Sequence, residues 1–232
     1  MIWTKRQSVG VKVKNLDSEG YRFRYFMRGK PGSQPSVLML HGFSLNKDMW
    51  LNTIEFVQCA GLNHKPFHLV GMSMGGMVAG VYAALYPAHV SSLALLCPAV
   101  TKEQTENFMK LCLAQPNFLK MQLLKAYLED RRPHKMFFAL CFLDLTSTES
   151  KYSLHENMRK IKAPTQIIWG KEDKVFDSSG AEILADAIPN SQVHRLEKCG
   201  HFITLERPRI SARLLLEFYN SVCDSAKQKK VA

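Results

Sequence analysis

A chain of 232 residues with 46% apolar and 22% charged residues has the size and composition of one globular domain, which excludes fibrous, disordered and small disulfide-framed classes. The formal charge of +11 is spread from Lys5, Arg6, Lys12, Lys14, Arg22, Arg24 and Arg28 to Lys227, Lys229 and Lys230. It forms neither a nucleic-acid-binding module nor an aromatic-interleaved basic stripe, so nucleic acid is excluded as a partner; an anionic membrane surface fits the charge, with a merely solvated surface as the alternative.

The opening MIWTKRQ is too short and too charged for a signal peptide or an anchor. In Tyr21-Arg22-Phe23-Arg24-Tyr25 aromatics alternate with arginines, as in a half-exposed antiparallel strand. With Val11 and Val13 before it, the text predicts a hairpin over 10–28 whose turn runs from Asn15 to Gly20. Apolar strands are expected over Ser36–Leu40 and Phe67–Val70, the latter ending at Gly71. Met77 to Tyr86 has helical spacing, and Ser92–Cys97 reads as a third buried strand. From Pro66 to Thr101 no Asp, Glu, Lys or Arg occurs. Gly71, Gly75, Gly76, Gly80 and Pro87 nevertheless exclude a spanning helix there. Residues 101–162 turn Leu/Met/Phe-rich and helical. A strand at Thr165–Gly170, a helix near Ser179–Ala187, a last strand at Gln192–Leu196 and a closing helix at Arg207–Val222 complete the pattern. Alternation of this kind predicts an α/β fold with a mostly parallel sheet covered on both faces. The core would comprise 1–100 and 163–232, with 101–162 inserted as a helical cap.

Chemistry concentrates at Gly71-Met72-Ser73-Met74-Gly75-Gly76, which follows one strand and precedes one helix, the context that a G-x-S-x-G nucleophile elbow requires. Ser73 is therefore the expected nucleophile, with a plain glycine-rich turn as the alternative. A serine hydroxyl needs a base, and among eight histidines His201 follows the last strand in a loop able to return over the sheet. His41 suits a structural or oxyanion-loop role and His68 a core edge. His64, His89, His134 and His155 read as surface, and His194 lies in the last strand. The orienting acid belongs at a neighbouring strand end. Asp173, three residues after Gly170, fits best; Asp177 could instead cap the next helix, and Glu172 would point away from an inward Asp173. Backbone N–H groups of Met74 and Phe43 hold the positions of an oxyanion hole. No cofactor is required. The six cysteines contain no CxxC and no paired spacing, so reduced thiols in a cytosol-facing protein are expected, with no metal site.

The stretches LMLHGFSLNKDMW, KPFHLVGMSMGGMVAGVYAALYP, SSLALLCPA, KYSLHENMRKIKAPTQIIWGKEDKVFD and LEKCGHFITLERPR resemble the membrane-attached monoacylglycerol lipases of the α/β-hydrolase fold. The resemblance covers most of the chain except parts of the cap. It implies ester hydrolysis of monoacylglycerols such as 2-arachidonoylglycerol, and also of lysophospholipids, by Ser73, Asp173 and His201, with Phe43 and Met74 at the oxyanion site. It also implies an intracellular location on endosomal or lysosomal membranes.

Three departures from that pattern stand out. The N-terminal anchor of the family is not expected from the opening MIWTKRQ. The family places two helices and a strand in the interval 41–66, which needs about 40 residues, so one sheet strand is expected to be missing. The hairpin would then lose its neighbour. The cap is also short, although Phe108, Met109, Leu111, Leu113, Phe118, Leu119, Met121, Leu123, Leu124, Met136, Phe137, Phe138 and Leu140 either line an acyl pocket or pack the cap onto the core. Two other functions compete with the lipase: a hydrolase-fold variant acting only by binding, and a carbon–carbon bond hydrolase, which shares the S-M-G-G elbow.

Overall fold

Strand-forming alternation at the start of the chain produces a hairpin, β1 (Lys12–Ser18) and β2 (Tyr21–Met27), with Leu16 opposite Phe23 and Asp17 opposite Arg22. The reversal follows Ser18, so Asn15 to Ser18 extend β1 rather than forming the expected turn. Gly20, at φ +80°, supplies the left-handed residue that a tight reversal demands. The computed structural model of the chain describes residues 6–18, 20–29, 35–43, 45–54, 66–112 and 153–231.

Largely apolar runs form β3 (Val37–Leu40), β4 (Phe67–Met72), β5 (Val90–Leu96) and β6 (Thr165–Gly170), and the mixed run SQVHRL forms β7 (Ser191–Leu196). They make a parallel sheet in the order β3-β4-β5-β6-β7. Such runs need both faces covered, and Leu69, Leu93, Leu95, Ile167 and Ile168 are almost wholly buried. The hairpin forms a separate two-stranded sheet, and β3 stands at the edge of the five strands. Every residue of β1 is exposed. Among the described residues the hairpin thus lacks its neighbour, as the short interval 41–66 leads one to expect, while β3 and β4 pair directly, with Val37 against His68.

The helices are α1 (Leu51–Ile54), α2 (Met74–Leu85), α3 (Lys102–Cys112), α4 (Leu154–Asn157), α5 (Gly180–Ala187), α6 (Ile203–Glu206) and α7 (Pro208–Val231). The group α1, α6 and α7 packs together on one side, and α2 with α4 forms another cluster, α2 lying against β4 and β5. The closing helix is longer than expected and has a separate first turn: Arg207 sits outside helical geometry at φ −132°, and Pro208 starts α7 afresh. Among the described residues no helix is long and apolar enough to cross a membrane. Residues 113–152 of the expected cap lie outside the described residues, and with them most of its apolar residues.

On the α7 side, His68 is 3% exposed. Its Nδ1 meets Ser92 Oγ, its Nε2 lies 3.7 Å from Cys223 Sγ, and its ring centroid is 4.3 Å from that of Tyr219. Burial lowers its pKa from 6.5 to about 4. The folded chain therefore keeps a neutral ring where the unfolded chain binds a proton, and stability is lost as pH falls from 6.5 towards 4. At about 1.4 kcal/mol per pKa unit the loss approaches about 3 kcal/mol. Urea midpoints measured from about pH 7 down to about pH 4.5 should fall accordingly, and His68→Gln should flatten that slope. An unchanged slope in the variant would assign the acid sensitivity elsewhere.

Candidate active site

Ser73 joins β4 to α2 at φ 55° and ψ −123°, a conformation that non-glycine residues adopt only where the surroundings enforce it. Here they do. A Cβ at Gly75 would stand 2.5 Å from the carbonyl oxygens of Leu40 and His41, so the elbow is pressed against the end of β3. The backbone locks the turn: Ser73 N donates to Leu96 O at 2.9 Å, while Ser73 O accepts from Gly76 N at 2.9 Å and Met77 N at 3.1 Å. Met74 begins α2, so its N–H belongs to the first turn, which has no intrahelical acceptor. The turn holding Phe43 comes directly after the edge strand and lies beside the elbow, since a Cβ at Gly42 would be 3.1 Å from Ser73 Cβ.

Asp173 follows β6. Its Oδ1 accepts from Val175 N at 2.8 Å and Phe176 N at 3.0 Å, and its Oδ2 meets His201 Nδ1 at 2.8 Å. The two side chains are 0% and 6% exposed, respectively, so this bond is shielded from water and fixes the ring through Nδ1. The His201 segment also touches both flanks of the elbow: Cys97 Sγ donates to His201 O at 3.1 Å, and Thr204 Oγ1 lies 3.8 Å from Met72 Sδ. Ser73 and His201 therefore share one rim of the sheet. Among the described residues no hydrogen bond within 3.5 Å engages Ser73 Oγ; catalytic contacts of this type often tighten only around a substrate.

The rival acids do other things. Asp177 Oδ1 accepts from Ser179 N at 3.0 Å ahead of α5, and the Ser179 side chain holds its carboxyl below the usual range. Glu172 turns to the backbone N–H groups of Lys198 and Cys199. Of the other histidines, His41 is exposed, His89 bonds Tyr82 at 2.9 Å, and His155 is exposed on α4. His64 and His134 lie outside the described residues.

Phe108, the one expected cap residue with a described side chain, brings α3 over the site. Its ring is 5.8 Å from Phe43 and 5.7 Å from Phe176, and Phe176 stands edge-on to His201 at 5.1 Å. Phe176 was not singled out in the sequence; its place three residues after Asp173 was the available signal. The start of α3 is a capping box: Thr101 Oγ1 accepts from Gln104 N at 3.2 Å, and Gln104 Oε1 accepts from Thr101 N at 3.2 Å. Gln104 Nε2 also donates to Asp177 O at 3.1 Å.

Donor atoms of Cys97, Asp173 and His201 lie within 4.8 Å of one another. Burial, then the negative charge of Asp173, pushes the Cys97 thiol well above its ordinary pKa, so it stays a neutral donor to a carbonyl. The carboxylate and imidazole are already bonded to each other. That set suits proton transfer better than metal ligation.

A parallel sheet with its strained serine turn, and a buried carboxylate–imidazole pair at the carboxyl edge, define the fold as that of the α/β hydrolases. The chain belongs to the Hydrolase_4 family, described as serine aminopeptidase, S33, whose model matches residues 13–208. It is 40% identical to proteins named monoacylglycerol lipase ABHD6 from Rattus norvegicus and Homo sapiens, with 99% of this chain and 88% of each relative covered. Both alignments run over 297 positions, 65 more than the 232 residues of this chain, so the relatives carry segments that this chain lacks. Among solved structures, a bacterial membrane phospholipase A superposes with a TM-score of 0.70 at 24% identity, covering 95% of this chain and 89% of that one. A serine hydrolase involved in carbazole degradation superposes at 0.66 and 20% identity, covering 91% and 99%. These two likenesses concern the fold.

Proposed function

We propose that this chain is a serine ester hydrolase that cleaves monoacylglycerols to glycerol and a fatty acid. The observation that carries the reading is the Asp173–His201 hydrogen bond, buried at the same rim as the strained Ser73. The likeness to relatives named monoacylglycerol lipase supports the substrate class.

In this mechanism Ser73 Oγ attacks the ester carbonyl carbon as His201 Nε2 takes the hydroxyl proton, and Asp173 stabilises the imidazolium. The N–H groups of Met74 and Phe43 receive the oxyanion. Collapse breaks the bond to the glycerol oxygen, which leaves with the proton from His201. Water then attacks the acyl-enzyme with His201 again as base, and the acid leaves as Ser73 is regenerated. The rings of Phe43, Phe108 and Phe176 suit an acyl chain, with 101–162 serving as the cap. Lysophospholipids are a second substrate class on this reading.

The chain is further proposed to meet its lipid at an anionic membrane surface inside the cell, of endosomal or lysosomal type. The charge of +11, and exposed Leu16 and Tyr25 beside Lys14 on one face of the hairpin, support that setting.

A fluorophosphonate probe should label the purified chain at Ser73, mapped by peptide mass spectrometry, and the chain should release fatty acid from a monoacylglycerol in mixed micelles. A folded, monodisperse chain that neither labels nor turns over this ester would favour a binding role.

A further inference from the structure

The loop carrying His201 has no ladder to hold it, yet its backbone groups are engaged by side chains. Glu206 Oε2 accepts from Gly200 N at 2.8 Å and Oε1 from Phe202 N at 3.1 Å, so one carboxylate spans the residues on either side of His201. Glu172 Oε1 accepts from Lys198 N at 3.0 Å, and its Oε2 from Cys199 N. Arg207 covers the carbonyl side, with Nε and Nη2 on Lys198 O at 3.2 and 2.7 Å. The loop begins at Lys198 with φ 49°, left-handed for a non-glycine residue. At Gly200 a Cβ would come within 3.1 Å of Glu206 Oε1, so a side chain there would push the carboxylate back by a few tenths of an ångström.

Asp173 holds the imidazole at Nδ1 alone, a single bond that leaves the ring's tilt and the reach of Nε2 to the loop backbone. Two carboxylates hold the N–H side of that backbone, both on exposed residues whose loss would leave the core intact, while its carbonyls meet Cys97 Sγ, Glu172 N and Arg207. We infer that Glu206, with Glu172 beside it, is a positioning residue for His201: the pair shapes loop 198–202 so that the imidazole can take and return the Ser73 proton. This inference rests on the reading of Ser73, His201 and Asp173 given above. A glutamine at either position offers one acceptor oxygen and turns an N–H towards the second backbone donor, so half of each clamp is replaced by repulsion.

The test compares wild type with Glu206→Gln, Glu172→Gln, the double variant, and Glu197→Gln, whose exposed side chain pairs with Lys171 and not with the loop backbone. Four quantities are read in each: ester turnover, fluorophosphonate labelling rate, the low-field proton resonance of the Asp173-bonded Nδ1–H, and the melting temperature. Each clamp variant should lose about 10- to 100-fold in kcat with KM within about twofold, label more slowly by a similar factor, and show a shifted or broadened Nδ1–H resonance at an unchanged melting temperature. Glu197→Gln should match wild type. Clamp variants that keep wild-type kcat and labelling overturn the inference. A wild type that never labels removes the assignment of Ser73 alone; the resonance then decides, supporting the clamp if it moves in Glu206→Gln and refuting it if it does not.

Discussion

Ser73→Ala is expected to lower kcat for ester hydrolysis by about 10^5- to 10^6-fold, the loss seen when a triad nucleophile is removed. The variant should fold as wild type does. Alanine meets the same strain at φ 55° as serine, and the backbone bonds from Ser73 N to Leu96 O and from Gly76 N to Ser73 O do not involve the hydroxyl. What survives is the contribution of the N–H groups of Met74 and Phe43 together with substrate binding. Stopped assays of fatty-acid release under single-turnover conditions provide the measurement. A variant within tenfold of wild type would show that the attacking group is some other nucleophile or water.

Asp173→Asn should cost about 10^4-fold in kcat, through the tautomer of His201 rather than through lost packing. Val175 N and Phe176 N both donate to Oδ1, so the amide oxygen of the new side chain must stay there. Its NH2 then occupies the Oδ2 position, 2.8 Å from His201 Nδ1. Two donors cannot share that gap, so Nδ1 must become the acceptor and Nε2 must carry the hydrogen. A ring in that state has no lone pair with which to take the Ser73 proton. Steady-state kinetics against the Val175–Phe176 geometry of a refined variant structure would check the argument, and a loss below about tenfold would mean that the ring is oriented by other groups.

Local features were the most legible in the sequence. Gly71-Met72-Ser73-Met74-Gly75 announces the elbow because the turn depends on glycines only a few positions away. Four of the five parallel strands announce themselves as uncharged apolar runs, and β7 carries His194 and Arg195. Asp173 was separable from Asp177 because a carboxylate before a helix suggests a capping role; in the structure Asp177 bonds Ser179 N in the turn ahead of α5, and Ser179 itself is the N-cap residue. Asn15 to Ser18 misled, since polar residues read as a turn by composition while the reversal is set by Gly20. The division of the C-terminal helix at Arg207–Pro208 depends on dihedral angles that helical periodicity does not display. Glu206 gave no signal at all: in LERPR it looks like one more solvated helix charge, and its grip on Gly200 and Phe202 exists only once the loop has folded back. The edge position of β3 could be argued in advance, because residues 41–66 are too few to build another strand and its helices.

Gln104 has a consequence for motion. With one end of its amide it seals the first turn of α3, and with the other it holds the carbonyl of Asp177, four residues beyond Asp173. The roof that Phe108 contributes is therefore tethered to the stretch of chain that carries the acid. Swinging that roof aside to admit a long lipid would have to break this amide's bond to Asp177 and part the rings of Phe108 and Phe176, so the roof is joined to the acid's segment at two points.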